Sequence, residues 1–155
     1  MVGQLAEYAP APDRLAARPV TPAEVAAVAR LAATADEFNL TGLTFDEGAT
    51  TAMTGDPGHL VAAFGLDGGE TVGAAWIERR GRVWWVLNLV LGRSAFGHGV
   101  EFAIADWIVR RARDAGAVAL AGRYVPTLSN AAAAGFWERA GFTPSGEDGV
   151  FTWNI

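Results

Sequence analysis

Two glycines around one histidine, Gly97-His98-Gly99, offer the clearest chemistry in the chain. The stretch GRSAFGHGV at 92–100 leaves an apolar run and enters an amphipathic one. Glycine tolerates positive φ and lets backbone approach a bound group closely. Successive amides in such a turn form an anion nest, and a helix opening there aims its free N–H groups at the same point. Ser94, Ala95, Phe96, Gly97, His98, Gly99 and Val100 are therefore a candidate cradle for a diphosphate, built from peptide groups. His98 is expected to lend its amide and turn its ring to solvent. Glu101 lies in the first turn of the helix, where a carboxylate stabilises the dipole by roughly 0.3–1 kcal/mol. As a proton-transfer group it would sit beside an anion that repels it.

Other chemistry-bearing residues are sparse. The chain has no cysteine, which removes disulfides, thiolate metal sites and catalysis through sulfur. Its two histidines, His59 and His98, lack metal-ligand spacing with carboxylates, so no metal is expected. Asn88 is the one polar side chain in the apolar run Val83–Leu91. It reads either as a residue that orients a water or as a core amide with satisfied hydrogen bonds. No catalytic acid or base can be named. Twelve basic residues, all arginine, stand against seventeen acidic ones, and a net charge of −5 without a basic stripe argues against nucleic acid. No apolar run reaches membrane-spanning length, and the first residues carry no secretory signal pattern. A cytoplasmic protein is expected.

The elements that must position the glycine loop are legible from the periodicity. Residues 1–12 read as a loose tail, and residues 13–155 as one domain. Arg14–Val20 reads as a strand. Thr21-Pro22-Ala23-Glu24 is a capping box with proline at the first helical position. Val25, Val28, Ala29 and Ala32 then fall on one helical face. Phe38–Thr41 breaks that pattern, and Thr44 can cap a short helix through Met53. Strands follow at His59–Asp67, Thr71–Arg79 and Val83–Leu91, with Asp67-Gly68-Gly69 and Arg80-Gly81 as turns. Val100–Ala115 is an amphipathic helix burying Val100, Ile104, Trp107 and Ile108. Ala117–Val125 is a buried strand, and Asn130–Ala140 a helix presenting Ala133, Phe136, Trp137 and Ala140. Val150–Ile155 is the last strand. Trp84 and Trp85 are consecutive on a strand and must point to opposite faces.

This order, with a glycine loop after the fourth strand, resembles the GNAT acyltransferase superfamily over nearly the whole chain. More narrowly, EFNLT at 37–41, FGHGVE at 96–101 and GRYVPTLSNAAAAGFWERAGF at 122–142 resemble the GNAT-like C-terminal half of FkbH-type proteins. The resemblance implies an α/β (α+β) fold: a single mixed, mostly antiparallel central sheet with a splayed parallel pair, flanked by helices. It implies acetyl-CoA or another acyl-CoA as cofactor, or the phosphopantetheine of a carrier protein. Backbone groups of Leu89 and Leu91 would then meet the thioester and the pantetheine amide. Asn130 would contact the pantetheine arm, and Phe136 would pack against it.

Two positions depart from the family pattern. Ser94 stands where the superfamily usually has Gln or Arg, although Arg93 lies one place earlier. Trp137 stands where a tyrosine often protonates the departing thiolate, and an indole N–H is only a hydrogen-bond donor. The resemblance implies an acyltransferase, N-acetyltransferase-like, acting on a small molecule in natural-product (polyketide-type) biosynthesis. The alternatives are acyl transfer to or from an acyl carrier protein, decarboxylation of a bound acyl group, and pantetheine or carrier binding without catalysis. A homodimer would suit the fold.

Overall fold

The computed structural model describes residues 15–66 and 69–155. The expected tail, the expected strand start at Arg14 and the turn residues Asp67 and Gly68 lie outside them. Strand β1 is Leu15–Pro19, followed by a 3-10 turn at Pro22–Glu24 and helix α1, Val25–Thr34. Strand β2 is Phe38–Asn39, and α2 is Glu47–Thr54. A meander follows: β3 His59–Leu66, β4 Thr71–Arg80 and β5 Val83–Leu91. Helix α3, Val100–Asp114, crosses to β6, Ala119–Arg123. The chain closes with a short α4, Phe136–Arg139, then β7 Thr143–Pro144 and β8 Val150–Asn154.

These strands form one mixed sheet in the order β1-β3-β4-β5-β6-β8-β7, with β2 paired to β5 off that path. Among the described residues only β5 and β6 run parallel, as strands joined by a crossover helix do. The expected single mixed, mostly antiparallel sheet flanked by helices is present. Alternation along the strands feeds two apolar layers. Leu60, Ala62 and Phe64 of β3 and Ala75 and Ile77 of β4 pack with α3 residues such as Ile104 and Ile108. Val61, Ala63, Ala74 and Trp76 face the other way, onto Val25, Val28 and Ala32 of α1. Thr50 of α2 accepts the Trp76 Nε1–H at 3.3 Å, which satisfies an indole buried to zero exposure.

Some expected boundaries shift for local reasons. Asp46, not Thr44, caps α2: its Oδ1 accepts the Ala49 N–H at 2.8 Å. Strand β6 is shorter than Ala117–Val125, since Ala117 N–H bonds back to Ala112 O and Val125 N–H goes to Leu40 O. The expected helix over 130–140 is split into a 3-10 turn, Ala131–Ala133, and the single turn of α4. Gly135 between them weakens a continuous helix by about 1 kcal/mol relative to alanine. The expected face survives the split, because Ala133, Phe136, Trp137 and Ala140 are all buried. Trp84 is buried while Trp85 is half-buried beneath Arg80 and Arg123, so the two do part to opposite faces.

Candidate functional site

Strands β5 and β6 are paired only from Val83↔Ala119 to Val86↔Gly122. Just past that point the β4–β5 register slips, with Trp76 opposite Asn88 but Ile77 opposite Val86. Leu87 is thus the extra residue of a bulge, which bends β5 away from its parallel neighbour. The wedge between the two strands opens toward the end of β5, where the glycine loop begins.

Gly97 and Gly99 have φ of 92° and 87°, the left-handed values their residue type suggested. Gly99 is the N-cap of α3, whose first intrahelical bonds run from Phe102 and Ala103 to Gly99 O. The amides that open the helix precede those bonds and point out of its end. Ala95 and Phe96 N–H are turned inward instead, to Gly92 O at 3.0 and 3.2 Å. Ser94 and His98 are exposed, and Ala95 and Val100 are buried. Glu101 is only 4% exposed. Its Oε2 accepts the Gly97 N–H at 3.2 Å, and its buried Oε1 has no partner. A carboxylate of the chain itself therefore sits on an amide of the nest.

The wedge is filled as well. Strand β2 pairs with β5 on the side that β6 has left, Phe38 opposite Leu91 and Asn39 opposite Val90. Leu40 N–H continues the ladder to Leu89 O at 3.3 Å, and Val125 N–H reaches Leu40 O at 2.8 Å. The segment Phe38–Thr41 bridges the two splayed strands as a short extra strand, a strap across the wedge. Asn130, with zero exposure, fixes it from the far side. Its Nδ2 donates to Asn39 O at 2.8 Å and to Val125 O at 3.0 Å. Its Oδ1 accepts from Thr127 N–H at 2.8 Å and from Tyr124 OH at 3.0 Å. Asn88 fixes the segment from the near side. Its Nδ2 donates to Asn39 Oδ1 at 2.7 Å and to Leu43 O at 2.8 Å, and its Oδ1 accepts the Thr41 N–H at 3.2 Å. Of its two sequence readings, the satisfied core amide holds.

Phe136 is fully buried, with its ring 5.1 Å from Phe38 and 5.8 Å from Phe102. Phe38 also meets Phe96 at 4.9 Å, so the aromatic ring of the strap joins the loop to α4. Trp137 is 2% exposed and donates Nε1–H to Arg123 O at 3.1 Å. Arg93 is turned from the loop toward the residues before the strap. Its Nε lies 2.8 Å from Glu37 and its Nη2 3.5 Å from Asp36. The sequence points to Leu89, Leu91, Asn130 and Phe136 and to EFNLT as a motif. It gives no role to Phe38, Asn39, Leu40 or Tyr124, which complete the cluster. A two-residue strand has no periodicity to read.

A bulged, splayed parallel pair beside a glycine-opened helix defines the acyltransferase type of open α/β sheet. The Acetyltransferase (GNAT) family profile matches residues 26–142, and the chain belongs to that family. No curated protein matches it significantly. The ribosomal-protein-S18-alanine N-acetyltransferase of Escherichia coli superposes with TM-score 0.70 at 15% identity, over 91% of this chain and 94% of that one. The GNAT domain of S. lividans PAT gives 0.70 at 20% identity, over 90% and 89%. yncA from Salmonella typhimurium, solved with its cofactor acetyl-CoA, gives 0.66 at 14% identity, over 91% and 94%. Likenesses at such identities speak for the fold. No helix among the described residues is long and apolar enough to cross a membrane.

Proposed function

We propose that this GNAT protein transfers an acyl group from acyl-CoA to an amine of a small molecule. The observation that carries the reading is the turn from Gly97 to Gly99, with both glycines at positive φ and α3 opening directly behind it. In this reading the backbone of Ser94 and of Gly97–Val100 holds the diphosphate, the Ala95 and Phe96 N–H groups being committed to Gly92 O, and the β5 edge at Leu89 and Leu91 receives the amides of the arm. Asn130 and Phe136 wall the far side. The structure of yncA with acetyl-CoA and that of the aminoglycoside acetyltransferase AAC(6')-Ib with coenzyme A support the cofactor class. The FkbH-type motifs support a place in natural-product assembly, where the donor or acceptor would be a carrier-borne pantetheine.

The backbone of the glycine turn fits the cofactor once Glu101 releases the Gly97 N–H; the wedge as it stands does not, because the chain's own peptide groups occupy it. A thioester bound there would meet no titratable side chain on β5. Trp137 can neither give nor take a proton at neutral pH. Both points favour a second reading, in which acyl exchange between thiols, or thiol-carrier binding without turnover, replaces transfer to an amine. Thiol exchange needs less protonation of the leaving sulfur. The test is incubation with acetyl-CoA and, separately, a panel of amines and a phosphopantetheinylated carrier protein. Free-thiol release with an amine supports the first reading; an acyl mass shift on the carrier alone supports the second. Unmoved amide resonances of Ser94–Val100 at millimolar acetyl-CoA would sink both.

A further inference from the structure

We propose that Phe38–Thr41 is an exchangeable strand, and that the acyl-pantetheine arm enters its slot by displacing it. The inference rests on the acyl-CoA reading of the site. A free strand edge pairs with any extended chain that carries amides at suitable spacing, whether peptide or not. The edge of β5 beyond the bulge is such a surface, and the glycine loop stands at its end. The strap now takes that edge through the β2 ladder and the Leu40 N–H to Leu89 O bond. Two extended chains cannot hydrogen-bond to the same side of one strand, so strap and arm exclude each other.

The other end of the slot repeats the pattern. Glu101 Oε2 holds the Gly97 N–H, an amide that a phosphate oxygen would take, while its Oε1 stays buried without a partner. The chain thus supplies its own stand-in for each end of the cofactor: peptide amides for the arm and a carboxylate for the diphosphate. The strap also has the boundaries of a movable piece. It begins after the end of α1 at Thr34, and it stops at Gly42, whose φ is 76°. Among the described residues, the carboxylates of its leading residues Asp36 and Glu37 pair with Arg93, which is 75% exposed and sits just past β5. A ligand that draws Arg93 toward its phosphates would loosen the strap from its exposed end.

A reversible lock tests the exchange. Leu40 and Leu89 are a hydrogen-bonded pair, so Asn39 and Val90 beside them are a non-hydrogen-bonded pair, the closer spacing that a disulfide accepts. In Asn39→Cys/Val90→Cys the two new thiols are the chain's only ones. Acetyl-CoA binding, read from the Ser94–Val100 amide resonances, is expected in the reduced variant and weakened by about 100-fold or more on oxidation, as for a competent state driven below a hundredth of the population. In the unmodified protein, saturating acetyl-CoA should speed hydrogen exchange at the Leu40 and Val125 amides at least about tenfold, with the β3–β4 ladder unchanged. The wild-type measurement decides the matter if the double variant fails to fold. Binding with both amides still protected, or equal binding in the oxidised and reduced forms, overturns the exchange and leaves the cofactor reading intact. Absence of binding in wild type and reduced variant alike overturns both.

Discussion

Asn130→Ala separates a ligand contact from an internal clamp. The side chain makes four hydrogen bonds, two given and two received, at zero exposure. Val125 and Thr127 are exposed, so water can replace the amide at those two peptide groups. Tyr124 OH keeps a second acceptor in Asn130 O at 3.2 Å. Asn39 O has no such recourse, because Asn39 is 5% exposed. One orphaned buried carbonyl costs about 1–3 kcal/mol, and each exchanged bond adds about 0.5–1 kcal/mol, so the loss is roughly 2–5 kcal/mol. In a domain of this size that lowers the thermal midpoint by about 4–20 °C. Asn130→Asp keeps the acceptor, loses both donors and aims a buried carboxylate at two carbonyl oxygens, which raises its pKa. A group whose folded pKa is raised destabilises the fold as pH climbs through its unfolded value. Asn130→Asp should therefore be weakest at neutral pH and recover toward pH 4. Thermal and urea melts of both variants across that range, beside acetyl-CoA titrations, are the assay. A midpoint shift under about 2 °C for Asn130→Ala, with tenfold weaker acetyl-CoA binding, would make Asn130 a ligand contact and refute the clamp.

Gly122→Ala drives a Cβ into Trp137 Cζ2, and it should cost about 1–3 kcal/mol in urea unfolding. Most of that should vanish in the Trp137→Ala background. Trp137→Phe loses the bond to Arg123 O and should cost about 1 kcal/mol or more, with any acyl-transfer rate within about threefold of wild type. A far larger rate loss would give the indole a role in the chemistry. Asp46→Ala removes the cap of α2 and should cost about 1 kcal/mol, read from the same melts. The Asp56 carboxyl is held below the usual carboxylate range by the Gly58 N–H and then by His59. Its contribution is present above the unfolded value and disappears as pH falls through the lower folded one. Asp56→Asn should accordingly be less stable than the parent at neutral pH and show a flatter acid limb, the two profiles converging below about pH 4.

The frame was legible because its elements obey strong periodicities. Val83–Leu91 reads as a strand covered on both faces and spans those residues. The glycine loop was legible for a sharper reason: positive φ selects a residue type, so Gly97 and Gly99 announce their backbone. Asn130–Ala140 shows the limit. Its apolar spacing marked the buried face correctly, yet spacing carries no information on whether Gly135 will interrupt the hydrogen bonding. The cap of α2 shows another. Thr44 and Asp46 are both capping types, and only the entry path of the chain decides between them.

The strap was hidden in a different way, and its concealment bears on affinity. Nothing local makes Phe38–Thr41 a strand; it exists because the bulge at Leu87 turns β5 aside and leaves an edge that burial must satisfy. Phe38 and Leu40 are 1% and 0% exposed, so each contributes about 1.5–3 kcal/mol to holding the strap down. Every 1.4 kcal/mol by which docking of the strap exceeds what the entering arm regains weakens acyl-CoA tenfold. A pantetheine arm regains the edge hydrogen bonds but not the Phe38 ring between Phe96 and Phe136. The affinity measured for acyl-CoA should then be set less by the glycine loop than by that one ring. Phe38→Leu, which keeps an apolar anchor but gives up both ring contacts, should bind acetyl-CoA about tenfold more tightly than the parent while melting lower. Tighter binding from a destabilised chain is a result that a permanently built strand cannot produce.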